Sequence, residues 1–148
     1  MCEHYVNNNL DAKKYLPNDR ETFNSLKPVL DEHLNNIYAQ EVPLWSSYLG
    51  VAGRVDCIAE WDGRIAVIDY KTSRKLKKKE YITNYFQQCA AYAVMWEERT
   101  SIPINKIVVV IAVDGEEPQV FEEKRDNYIY ECVETIARYR REQSGNYA

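Results

Sequence analysis

The dipeptide Asp62-Gly63 stands between two runs in which apolar and polar residues alternate, and it constrains this chain more than any other feature. A two-residue type I′ turn needs positive φ at both central positions, which Asp and Gly tolerate, and so short a loop fixes the register of the strands it joins. With Trp61 opposite Arg64, paired residue numbers sum to 125. Asp56 is then expected opposite Asp69, and Arg54 opposite Lys71. Alternation places Arg54, Asp56, Ile58 and Glu60 on one face with Ile65, Val67, Asp69 and Lys71. Val55, Cys57, Ala59, Ala66 and Ile68 take the other.

Opposed Cβ atoms lie about 5 Å apart, and two carboxylates at that distance repel by about 3 kcal/mol at an effective dielectric of roughly 20. Two arrangements offset this. The acids can pair with Arg54 and Lys71 in a solvated cross-strand salt network, which is ordinary on antiparallel sheets. Alternatively, a divalent cation can sit between them, and carboxylate oxygens with open water positions suit Mg²⁺ or Mn²⁺ better than Zn²⁺. Lys71 would then stand beside the metal, where its ammonium can help activate a water or neutralise charge developing on a phosphate. That is the chemistry of phosphodiester hydrolysis.

The remaining periodicities order the elements as α, β, β, β, α, β, α. Asn18 or Asp19 is expected to cap a first helix whose stripe is Phe23, Leu26, Leu30, Leu34 and Ile37, perturbed by Pro28. From Glu41 to Thr72 the period is two, predicting three short strands with turns at Leu49-Gly50 and Asp62-Gly63. Tyr81 to Glu98 returns to helical spacing through Ile82, Tyr85, Phe86, Cys89, Ala93 and Trp96. Lys106–Val113 is an apolar run of strand length, and 126–142 reads as a C-terminal helix through Ile129, Val133, Ile136 and Tyr139. With no linker or repeat dividing its 148 residues, the chain is expected to form one α/β domain. Its N-terminal helical segment would be 1–40 and its core 41–113.

Composition narrows the function. No apolar run approaches membrane-spanning length, and Met1-Cys2-Glu3-His4-Tyr5 lacks the basic flank and apolar stretch of a secretory signal, so an intracellular, cytoplasmic protein is expected. Cys2, Cys57, Cys89 and Cys132 are too scattered for a zinc site or a disulfide framework. A net charge of −4 argues against coating nucleic acid by bulk charge. Locally the balance reverses, because six of the nine residues from Lys71 to Lys79 are basic. Such a run is usually a solvated loop, but beside the proposed site it could follow a phosphate backbone while Tyr70, Tyr81 and Tyr85 offer stacking surfaces. His33 is expected to be structural.

Gly53-Arg54-Val55-Asp56, Asp69-Tyr70-Lys71-Thr72 and Gln88-Cys89-Ala90-Ala91-Tyr92 resemble the G-x-x-D, D-x-K-T and Q-x-x-x-Y motifs of the RecB-like branch of PD-(D/E)XK nucleases. The likeness is nearest to exonucleases of mitochondrial genome maintenance and their tailed-phage relatives, and spans roughly Glu41 to Val113. It implies a restriction-endonuclease-like α-β-β-β-α-β core, matching the order read above, with a further C-terminal helix. By this resemblance Asp56 and Asp69 ligate a catalytic Mg²⁺ or Mn²⁺, with the Tyr70 carbonyl as an additional ligand, and Lys71 is the catalytic lysine; Glu41, at the start of the first strand, could supply a further carboxylate or equally be a surface acid. Gln88 and Tyr92, one helical turn apart, border the site and the DNA backbone, as would Arg54, Arg74 and Lys75. No iron-sulfur cluster is expected, since clustered C-terminal cysteines are lacking.

One family feature is missing. No G-T-x-x-H precedes the core, and Glu3 best matches the final Glu of that segment, which places the expected His before Met1; His4 is a poorer substitute. The function the resemblance implies is a metal-dependent DNA exonuclease acting on single-stranded or free ends in replication, recombination or repair. The alternatives are a non-catalytic DNA-binding or recombination-accessory domain with a degraded site, and a structure-selective endonuclease.

Overall fold

The computed structural model describes residues 17–146. A helix α1 (Pro17–His33) leads into three strands, β1 (Leu34–Ser46), β2 (Val51–Trp61) and β3 (Arg64–Ser73). A 3-10 turn (Lys79–Tyr81) opens the long helix α2 (Thr83–Thr100), followed by β4 (Lys106–Val113), β5 (Gln119–Lys124), a second 3-10 turn (Arg125–Asn127) and α3 (Ile129–Asn146). The strands form one mixed sheet in the order β1-β2-β3-β4-β5, in which β3 and β4 are parallel and the other neighbours antiparallel. Helix α2 is the crossover that a parallel pair requires.

The Asp62-Gly63 turn sets the register as expected. Both residues have positive φ, +52° and +82°, and the β2–β3 ladder runs from Trp61–Arg64 to Cys57–Ile68. It stops one pair short of Asp56 and Asp69, so Arg54 does not pair with Lys71. Arg54 opposes Pro43 of β1 instead.

Strand β4 is buried on both faces, which is why its sequence is a continuous apolar run. Toward α2 it packs Val109 and Ile111 with Ile58 and Val67 beneath Phe86, Cys89, Ala90 and Ala93. Toward α1, Val108, Val110 and Ala112 join Cys57, Ala59, Trp61, Ala66 and Ile68 under Leu26. Val55 departs from the expected alternation: it belongs to the α2-side core with Ile58, whereas Cys57 lies on the α1 side. The phase therefore slips once near Asp56. Opposite it, the β1–β2 pairing passes from Gln40–Cys57 to Val42–Val55, skipping Glu41, whose φ is +46°.

Three helix boundaries, the start of β1 and one further strand differ from the sequence reading. The first helix ends at His33, so Leu34 and Ile37 belong to β1. The pairings Leu34–Trp61 and Asn35–Glu60 take up the backbone, and Asn36, at an irregularity in the β1–β2 register, adopts φ +40°, a conformation that Asn tolerates. At the other end the helix already includes Asn18 and Asp19, with Pro17 opening it, and it runs unbroken through Pro28. The segment before Ile129 is a 3-10 turn, and β5 was not expected. His33 closes α1 onto the hairpin: its Nδ1 lies 2.6 Å from Asp62 Oδ1 and its ring stacks on buried Trp61 at 4.8 Å. Cys57, Cys89 and Cys132 are buried free thiols, with burial pushing Cys57 up to about 12. No helix among the described residues is long and apolar enough to cross a membrane.

Candidate active site

Asp69 lies on β3 one residue past the last β2–β3 pair, 4% exposed and facing α2. Where the ladder stops, Asp56 replaces the missing strand partner: its Oδ2 accepts the N–H of Tyr70 at 2.9 Å. This bond holds Asp56 against Asp69. Burial, followed by a hydrogen bond shared with Asp56 and the charge of Asp56, pushes the Asp69 carboxyl up to about 7, while Lys71 pulls it down.

Lys71, on the same face as Asp69, puts Nζ 3.2 Å from Asp69 Oδ2. The ammonium pairs with this buried oxygen, which has no other donor within hydrogen-bonding geometry. Nζ also reaches Gln88 Oε1 at 3.5 Å and lies 4.8 Å above the centre of the Tyr85 ring. Burial works against the charged amine, but Asp69 and Asp56 outweigh it and hold Lys71 above its ordinary value. It is therefore a fixed cation at neutral pH. Gln88 Nε2 donates to Tyr92 Oη at 3.1 Å, completing a line from Asp69 through Lys71 and Gln88 to Tyr92.

Asp56, Asp69, Lys71, Gln88 and Tyr92 are thus brought together. Other candidates lie elsewhere. Glu41 accepts Arg54 Nε through its carbonyl at 3.0 Å and holds Arg54 at 3.5 Å through its carboxylate. Gly53 faces α2, so Arg54 points away from that helix. Among the described residues, no three His, Cys, Asp or Glu side chains converge as for a metal. The Tyr70 ring packs against the α1-side core, leaving only its backbone beside the acids. Arg74 and Lys75 are exposed in the loop leaving β3. Cys2, Glu3 and His4 lie outside the described residues.

Two contributors were not singled out in these roles from sequence. Tyr85 stands three residues before Gln88, so the helical period puts both on one face under Lys71. Gly53 was visible only as a motif letter, yet it is what admits Tyr92, because a Cβ there would come within 2.8 Å of Tyr92 Cε1.

An acid pair with a buried oxygen beside a fixed ammonium on a D-x-K strand end is an arrangement suited to phosphodiester chemistry. The family model of the PD-(D/E)XK nuclease superfamily matches residues 10–145. The chain belongs to that superfamily. Asp69-Tyr70-Lys71 has the spacing of the (D/E)XK in that name. A solved structure from Eubacterium rectale, of a protein provisionally named an exonuclease, is similar at a TM-score of 0.56 and 14% identity, over 86% of this chain and 53% of that one. The chain thus spans about half the length of that neighbour, and the likeness is one of fold. The structure of SSO0001 is similar at a TM-score of 0.44 and 16% identity, over 86% of this chain and 63% of that one. No curated protein matches the sequence.

The residues present fit the hard divalent cation typical of the superfamily. Asp69 Oδ2 is buried with no partner besides the Lys71 ammonium, Asp56 abuts it, and the donor set is all oxygen.

Proposed function

We propose that this chain is a metal-dependent deoxyribonuclease of the RecB-like branch, an exonuclease that hydrolyses phosphodiester bonds at single-stranded or free DNA ends inside the cell. The observation that carries this reading is the buried oxygen of Asp69, held beside Asp56 and Lys71. Asp56 and Asp69 would hold Mg²⁺ or Mn²⁺, with the Tyr70 carbonyl at the same strand position. When bound, such an ion acidifies a water and offsets charge on the phosphate. Lys71 keeps its proton and supplies a positive charge to the phosphate as negative charge grows on it. Gln88 and Tyr85 hold that ammonium in place, and Tyr92 in turn orients the Gln88 amide. The three motifs support the branch, and the exposed basic loop supports a nucleic-acid substrate.

A second reading, a DNA-binding domain without activity, is favoured by one observation: only two acids converge among the described residues. Labelled linear single-stranded, linear duplex and circular single-stranded DNA, each incubated with Mg²⁺, Mn²⁺ or EDTA, separates the readings. Metal-dependent loss of nucleotides from linear DNA, abolished in Asp69→Asn and strongly reduced in Lys71→Ala, is expected. Binding without cleavage in either metal would establish the second reading, and cleavage of the circle would mark an endonuclease.

A further inference from the structure

The basic run leaves β3 directly after the candidate site, and its six cations divide into two groups. Lys71 turns inward to Asp69, and Lys79 is tied to Glu123 of β5. Arg74, Lys75, Lys77 and Lys78 are exposed, in a chain whose net charge is −4.

This loop is braced. The Gln119 side chain of β5 accepts the Lys77 N–H at 2.8 Å and donates to the Lys77 carbonyl at 2.9 Å, imitating a strand partner. Gln119, Phe121 and Glu123 share one face of β5, and Phe121 anchors that face in the core against Phe86. Beyond the braced turn Tyr81 is 77% exposed. Of the three tyrosines near the run, Tyr70 packs against the core and Tyr85 lies under Lys71. Tyr81 alone of these offers a ring to solvent. A braced row of cations ending in an open aromatic ring matches the chemistry of unpaired DNA, with phosphates to one side and a stackable base face to the other.

We propose that the loop from Arg74 to Tyr81, buttressed by Gln119 and Glu123 of β5, binds single-stranded DNA, with Tyr81 stacking on a base and Lys75, Lys77 and Lys78 following the phosphates. The proposal rests on the nuclease reading for its use, since the loop would deliver a strand to Asp69 and Lys71, but its test does not depend on cleavage.

The measurement is fluorescence anisotropy of labelled oligo-dT and of a blunt duplex, in EDTA, with the full chain and its variants. Oligo-dT is expected to bind more tightly than the duplex. Tyr81→Ala should weaken oligo-dT binding about tenfold with little effect on duplex, and Tyr81→Phe should restore it. Replacing Lys75, Lys77 and Lys78 with Ala should reduce the salt dependence of log K by about 2. Gln119→Ala, which removes no charge, should weaken oligo-dT binding while leaving thermal unfolding near that of the parent. Unchanged oligo-dT binding by Tyr81→Ala, equal losses on both DNAs, or no oligo-dT binding by the parent chain would overturn the proposal. Binding as expected without metal-dependent cleavage would overturn the nuclease reading alone.

Discussion

Tyr92 occupies the space that a side chain on Gly53 would fill: a Cβ built on Gly53 lies 2.8 Å from Tyr92 Cε1 and 3.1 Å from its hydroxyl. The missing side chain lets α2 lay a ring against β2, and the hydroxyl of that ring receives Gln88 Nε2. The glycine of G-x-x-D and the tyrosine of Q-x-x-x-Y are two halves of one contact. Gly53→Ala should push Tyr92 off Gln88, lower stability by about 1–3 kcal/mol and reduce cleavage. Adding Tyr92→Leu to Gly53→Ala should recover most of the stability but not the cleavage. Thermal melts and nuclease assays on the single and double variants check this.

Asp69 links stability to pH. Its carboxyl is raised to about 7 in the folded chain from an ordinary 3.8, so the folded state keeps a proton that the unfolded state has released. Stability from this group is therefore present below about pH 4 and lost as pH rises through about 7. Melts of the metal-free protein should show this decline, and Asp69→Asn should flatten it. A divalent cation competes with that proton, so Mn²⁺ should raise the melting temperature more at pH 8 than at pH 5. Equal Mn²⁺ effects at both values would contradict the assignment of Asp69 as a ligand.

Lys71→Ala should lower metal-dependent cleavage by about 10²–10³-fold while leaving Mn²⁺ stabilisation in place. In the proposed mechanism the lysine would supply charge to the phosphate rather than ligate the ion. Lys71→Arg keeps the charge but spreads it over a planar group that cannot sit between Asp69, Gln88 and the Tyr85 face, so it should restore little. Single-turnover rates at saturating metal distinguish these outcomes.

His33 offers a contrast. Its ring stacks on Trp61 and meets Asp62 at 2.6 Å, on the side of the sheet away from α2. His33→Ala should cost about 1–3 kcal/mol of stability and leave cleavage below the transition near that of the parent. A comparable loss of rate at low temperature would give His33 a part in the chemistry.

Much of this architecture was legible because it depends on short-range rules. Asp62-Gly63 permits one tight turn, so the register of β2 and β3 followed from counting, and Lys106–Val113 could be read as a strand because burial on both faces leaves no polar position. β5 was not legible, because only Val120 and Phe121 break its polar character and its meaning lies in what it braces. The extension of β1 back to Leu34 was hidden because Leu34 and Ile37 continue the helical stripe, and only pairing with β2 overrides it.

The residues themselves determined that two aspartates and a lysine would share one strand pair, since side-chain alternation and a two-residue turn are local properties. Tertiary structure decided how they meet. The ladder ends before Asp56 reaches Asp69, the Tyr70 N–H left over binds Asp56, and α2 brings Gln88 and Tyr85 onto Lys71. Such outcomes depend on where a hydrogen-bonded ladder stops and on which helix covers it, and those are set by the packing of elements distant in sequence.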